Sequence, residues 1–189
     1  MPVSRWLDVG NIQCALAQCP VYELMTGLEM HPTKTRIIYC MDERRKGKYP
    51  ETSFDFLGYT FRTRKVKSRK HNKVFVGFTP AVSNAALKSM RQKIKSLRLR
   101  RHTHSELKDL VNVLNPLLRG WVQYYGRFSS SGMNPLYWYV NQTLVRWAMR
   151  KYKRLGQNRT RARMHIADLC KAIPRLFVHW QLSSSGAYA

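Results

Sequence analysis

The stretch from Asn112 to Phe128 reads N-V-L-N-P-L-L-R-G-W-V-Q-Y-Y-G-R-F. Leu114, Leu117, Leu118, Trp121, Val122 and Tyr125 recur at spacings of three and four, which on a helix forms one broad apolar stripe that needs a partner. Arg119, Gln123 and Arg127 lie on the same turns but project elsewhere, so a helix here presents an aromatic core face and a basic face. Asn115-Pro116 has the form of an N-cap followed by proline at the first helical position, which predicts a break and restart inside the stretch.

Helical periodicity extends to both sides. Upstream, Pro80 and Ser83 are start signals for a segment whose seam is Leu87, Met90, Ile94 and Leu97, flanked by Lys88, Arg91, Lys93, Lys95, Arg98, Arg100 and Arg101. Ser105 has the residue type of an N-cap for the next helix, with Glu106 and Asp109 in the first turn, where the helix dipole favours acids. Downstream, Asn134-Pro135 opens a helix to about Leu155. Its Tyr137, Val140, Leu144 and Trp147 face inward and its Arg146, Arg150, Lys151, Lys153 and Arg154 face out. Arg159 to Ile173 predicts one more short basic helix, Leu176 to Leu182 an apolar segment packing back on the bundle, and Ser183 to Ala189 a frayed end.

Before Thr79 the period is two. Phe54, Phe56, Tyr59 and Phe61 form an aromatic strand pattern whose alternation shifts at Leu57-Gly58, where a bulge or close backbone approach fits. Val74, Val76 and Phe78 alternate in a second strand. Residues 62–73 between them hold seven Lys or Arg and only Val66 as an aliphatic residue, which predicts a hairpin with a basic tip. A further strand is predicted over Arg36 to Cys40. The fold class that follows is α+β, a small antiparallel strand and hairpin piece (1–79) ahead of a mainly helical bundle (80–189).

Charge narrows the function. The 189 residues include 34 Lys or Arg against 10 Asp or Glu, a net charge of +24, with 44% hydrophobic residues to build a core. Between Phe56 and Ser105 there are fourteen basic residues and no acid, and between Leu110 and Ala167 ten basic residues and no acid. A solvated face normally mixes signs, whereas unbalanced charge repels itself until a polyanion neutralises it. Nucleic acid is therefore the expected partner. No apolar run reaches the ~18 to 20 residues of a spanning helix, and the N-terminus lacks a signal-peptide layout, so a cytoplasmic protein with no membrane partner is expected. Cys14, Cys19, Cys40 and Cys170 form no C-x-x-C pair and read as reduced thiols, not a metal site.

Three stretches in order resemble the second half of group II intron reverse transcriptases and maturases. Gly27-Leu-Glu-Met-His-Pro-Thr-Lys-Thr35 resembles the last palm motif, Phe54-Asp-Phe-Leu-Gly-Tyr59 the primer-grip turn, and Leu114 to Tyr125 the signature of the maturase-specific (X, or thumb) domain. The resemblance implies that Lys34 lies near the incoming nucleotide and Leu57 and Gly58 near the primer. It also implies that 1–79 is a palm remnant and 80–189 a thumb-like domain. The family's palm carries an aromatic-Ala-Asp-Asp motif that helps hold two metal ions. No Asp-Asp pair occurs here, so the chain reads as an N-terminally truncated member, without catalytic residues or cofactor of its own and with Mg²⁺ only if a catalytic palm complements it.

Two functions are then expected to compete. One is an RNA-binding maturase-type module that helps structured RNA, group II intron RNA in particular, to fold for splicing. The other is the C-terminal part of an RNA-directed DNA polymerase that needs an N-terminal polymerase fragment as partner. The expected RNA contacts are Arg62, Arg64, Lys65, Lys67, Arg69, Lys70 and Lys73 on the hairpin and Lys88, Arg91, Lys95, Arg119 and Arg127 on the helices.

Overall fold

The computed structural model describes residues 38–40, 49–67 and 73–182. The chain divides into two units, residues 1–38 and 39–189, and every element below belongs to the second. Of the predicted strand over Arg36 to Cys40, residues 36–37 lie outside the described residues, and 38–40 form no strand, the Tyr39 amide donating instead to the Glu51 carbonyl at 2.9 Å. Lys34, the hairpin tip at 68–72 and the tail after Leu182 also lie outside the described residues.

Three antiparallel strands come first: β1 (Ser53–Phe56), β2 (Tyr59–Lys67) and β3 (Val74–Val82), in the spatial order β1-β2-β3. Phe56 pairs with Tyr59, so β1 and β2 are joined by the two residues Leu57 and Gly58. Both have positive φ, 48° and 79°, the pattern of a tight hairpin turn whose twist matches that of its strands. The shift in alternation at Leu57-Gly58 is thus a chain reversal, not a bulge. β2 and β3 pair as the expected hairpin, but Arg62 to Lys67, read as part of the tip, extend β2, so the register runs from Tyr59 opposite Val82 to Lys67 opposite Val74. β3 continues through Pro80, which an outer strand tolerates. Phe54 stacks on Phe61 with ring centroids 4.8 Å apart.

Ser83 ends the sheet and starts the bundle. Its hydroxyl accepts from the amide of Ala86 at 3.1 Å and its own amide donates to the Gly58 carbonyl at 2.8 Å. The first helix, α1 (Asn84–Ser96), buries Leu87, Met90 and Ile94. Arg98 follows in the left-handed conformation, and a 3-10 turn over Leu99–Arg101 leads on.

The second helix, α2 (Leu107–Tyr125), departs from the sequence reading at two points. Its N-cap is Glu106, not Ser105: Glu106 and Asp109 form a reciprocal capping box, in which the Glu106 amide donates to the Asp109 carboxylate at 2.7 Å. The helix also runs unbroken through Pro116. The reason lies in Asn115, whose side chain is not turned back to cap a new helix. It is buried, donates to the Leu176 carbonyl at 3.0 Å and accepts from the Val178 amide at 3.1 Å. Two tertiary hydrogen bonds hold it in place, and the local capping signal is overridden.

The third helix, α3 (Asn134–Lys151), is the axis of the bundle, with ten buried residues including Tyr137, Val140, Leu144 and Trp147. Apolar residues around most of its circumference mark it as central. Packed about it are α1, α2, α4 (Arg159–Ala172) and the short α5 (Val178–Leu182), which with Phe177 and Trp180 closes the core as the apolar tail segment predicted. The architecture is α+β, a three-stranded antiparallel sheet followed by helices.

Beneath α5 lies a buried polar cluster. Asn141 Oδ1 accepts from Trp180 Nε1 at 3.1 Å and lies 2.8 Å from His179 Nε2. The indole N–H is only a donor, so the Asn141 oxygen is an acceptor and the imidazole proton sits on Nε2. His179 Nδ1 has no hydrogen-bond partner among the described residues. Burial pushes the imidazole pKa down to about 3, so the ring is neutral at ordinary pH.

Candidate nucleic-acid interface

The Leu57-Gly58 turn sits directly on the second half of α2. Tyr124 Oη donates to the Leu57 carbonyl at 3.1 Å, and Tyr59 Oη donates to the Tyr124 carbonyl. Burial raises the pKa of the Tyr59 and Tyr125 phenols, which remain protonated. Beside the turn opens a largely apolar cleft of about 740 Å³ whose lining includes Leu57, Gly58, Met90, Trp121, Tyr124 and Tyr125. Trp121 therefore has two roles, packing partly on the core and lining the cleft. Trp147 is the true core anchor, 1% exposed, with Nε1 donating to the His102 carbonyl at 2.9 Å. Trp138 is 48% exposed on the outside of α3.

Four of the seven predicted hairpin cations have described side chains. Arg62, Lys65 and Lys73 are exposed. Arg64 is folded back, its guanidinium donating to the Thr60 carbonyl at 3.1 Å and to the Thr79 carbonyl across the strands. Burial, together with the Arg62 charge, lowers its pKa. Arg64 thus pins β2 to β3. Lys67 lies at the end of β2, and Arg69 and Lys70 fall outside the described residues. On the helices Lys88, Lys95, Arg119 and Arg127 are exposed and Arg91 is half-buried.

A denser cluster lies elsewhere. A cleft of about 390 Å³ between the end of α1, the 3-10 turn and α3 is lined by Lys95, Arg98, Arg100, Arg101, Arg146 and Arg150, with Ile94, Leu99, Tyr139 and Thr143. No carboxylate lines it. Of these cations only Lys95 is among the contacts predicted from sequence. The missed signal was spacing: Tyr139, Thr143, Arg146 and Arg150 follow intervals of four, three and four, which place them along one side of α3. What the sequence could not show is that Arg98 turns left-handed and that the 3-10 turn after it lines the same cleft as α3.

Among the described residues no three His, Cys, Asp or Glu side chains gather as a metal ion would require. Asp55, the acid nearest the hairpin turn, accepts from Thr60 Oγ1 at 2.5 Å.

Residues 87–165 match the family model for the group II intron, maturase-specific domain. The match supports a maturase C-terminal region and a maturase-type function. It runs from the first buried leucine of α1 into α4, so the whole basic cleft lies inside the maturase-specific segment and the β-strands lie outside it. No curated protein and no solved structure matches the chain. No described helix is long and apolar enough to cross a membrane.

Proposed function

We propose that this chain is an RNA-binding module of the maturase type, which grips structured RNA, group II intron RNA in particular, and helps it fold for splicing. The observation that carries the reading is the coincidence of the maturase-specific match with a cleft lined by six cations and no carboxylate. Lys and Arg neutralise phosphates and release their counterions, which supplies affinity independent of sequence. Exposed aromatic rings such as those of Trp138 and Phe128 offer faces on which unpaired bases stack.

The test is a salt titration. With roughly six to ten phosphates contacted, affinity for a structured RNA is expected to fall on the order of a thousandfold or more between 50 and 200 mM salt. A response flat with salt would sink the reading.

One observation favours a second reading, the C-terminal part of an RNA-directed DNA polymerase. The Leu57-Gly58 turn, which resembles a primer grip, is hydrogen-bonded to Tyr124 of the maturase-specific segment. In this reading a separate catalytic part supplies the clustered carboxylates and Mg²⁺. Primer extension on an RNA template that appears only when such a part is added in trans would support it.

A further inference from the structure

We propose that the cleft between Arg98 and Arg150 is the site where the RNA phosphodiester backbone is held most tightly, a proposal that rests on the RNA-binding reading above. Three independent features of the cleft point to phosphate.

The first is uncompensated charge. Six cations, Lys95, Arg98, Arg100, Arg101, Arg146 and Arg150, line about 390 Å³ without an acid among them. Like charges four residues apart on a helix, as Arg146 and Arg150 are, destabilise it. Such an arrangement persists at a cost to the free protein and is relieved when an anion enters. The second is composition. Five of the six are arginines, whose planar, forked donors match phosphate oxygens in a way a lysine ammonium does not.

The third is backbone geometry. Arg98 has φ 49° and ψ 34°, a left-handed conformation taken just past the end of α1, where glycine is the usual occupant. A glycine would close the helix with less strain but would bring no cation. Strain of this kind concentrates at functional sites, and here it is coupled to a side chain that lines the cleft. Pockets for small apolar ligands are lined mainly by hydrophobic and aromatic groups, whereas cations dominate here, so a strand of phosphates fits better than a neutral metabolite.

The experiment compares Arg98→Gly, the triple variant Arg98→Gly/Arg146→Gln/Arg150→Gln, and a hairpin variant, Lys65→Gln/Lys73→Gln. All are titrated with one fluorescein-labelled stem-loop RNA across a salt series. Arg98, Arg146 and Arg150 are exposed, so circular dichroism melts are expected to show both cleft variants as stable as the parent or more so. The triple variant is expected to lose about tenfold or more in affinity at 100 mM salt. Its slope of log affinity against log salt should shrink by about 2 to 3, one phosphate contact for each arginine. The hairpin variant should lose less. A triple variant Arg98→Lys/Arg146→Lys/Arg150→Lys should keep most of the slope and lose part of the affinity.

If the parent binds with a steep salt slope and the cleft variants bind identically to it, the cleft proposal is overturned while RNA binding stands. A parent that does not bind RNA overturns both. Arginine-dependent binding to phosphatidylserine vesicles, with no arginine dependence toward RNA, overturns the proposal in favour of a lipid surface.

Discussion

A Cβ at Gly58 would stand 2.6 Å from the phenolic oxygen of Tyr125, closer than real Cβ contacts come. Gly58 also has φ 79°. Two independent constraints, turn geometry and the ring of α2 above it, converge on one residue. Gly58→Ala is expected to destabilise the protein by about 1 to 3 kcal/mol, read as a lower urea midpoint. In a Tyr125→Leu background the steric part disappears, so the same substitution should cost measurably less. Equal costs in the two backgrounds would mean that the turn alone dictates glycine.

His179 gives a pH dependence. Its pKa is about 3 in the folded protein because burial penalises the charged ring, against the ordinary 6.5 when unfolded. Between those values the unfolded chain binds the extra proton. Stability is therefore full above about pH 6.5 and declines as pH falls toward 3, by a few kcal/mol in all. His179→Gln is expected to be less stable at neutral pH and to show a flatter acid limb in thermal melts from pH 7 to 3.5. An unchanged limb would place the acid sensitivity in the carboxylates.

Asn115 is expected to be worth more than a surface asparagine. Asn115→Leu removes both bonds to the C-terminal segment, leaving the Leu176 carbonyl and Val178 amide without those partners, and should cost about 2 to 4 kcal/mol. Asn115→Ala should cost a similar amount while the helicity of α2, measured by circular dichroism, stays intact. A selective loss of helix would restore the capping role suggested by Asn-Pro.

The tryptophans should separate by burial. Trp147→Ala should cost about 3 to 5 kcal/mol, since it opens a core cavity and strands the His102 carbonyl. Trp138→Ala should change stability by less than about 0.5 kcal/mol and weaken RNA binding if its ring stacks on bases. Arg64→Gln, unlike Lys65→Gln, should lower the melting temperature, because its guanidinium is tied to carbonyls on both strands.

Much of this was legible in the residues. The inward faces of α1 and α3, the basic hairpin and the apolar return at Phe177 and Trp180 all follow from periodicity, because burial selects apolar side chains at the period of the element. The misreadings share a cause. Asn115-Pro116 carries a strong local signal, and contacts about sixty residues away outweigh it. Arg64 looked like a free cation because sequence shows charge but not the carbonyls a guanidinium finds across a hairpin. The basic cleft was hidden for the same reason: its lining comes from segments some forty residues apart, which the packing of the core brings together.

The bond from the Val178 amide to Asn115 spans 63 residues. On a ribosome, where synthesis runs at about 5 to 20 residues per second, α2 emerges several seconds before the segment that satisfies its buried amide. During that interval the nascent bundle lacks Phe177 and Trp180 over its core, while the arginines that line the basic cleft are already synthesised. A nascent chain stalled before Leu176 is therefore expected to remain readily cut by protease, and protection should appear only once residues 176–182 have cleared the exit tunnel. If RNA is present during translation, it meets the cationic surface before the core is sealed, and the polyanion becomes part of the environment in which the protein folds.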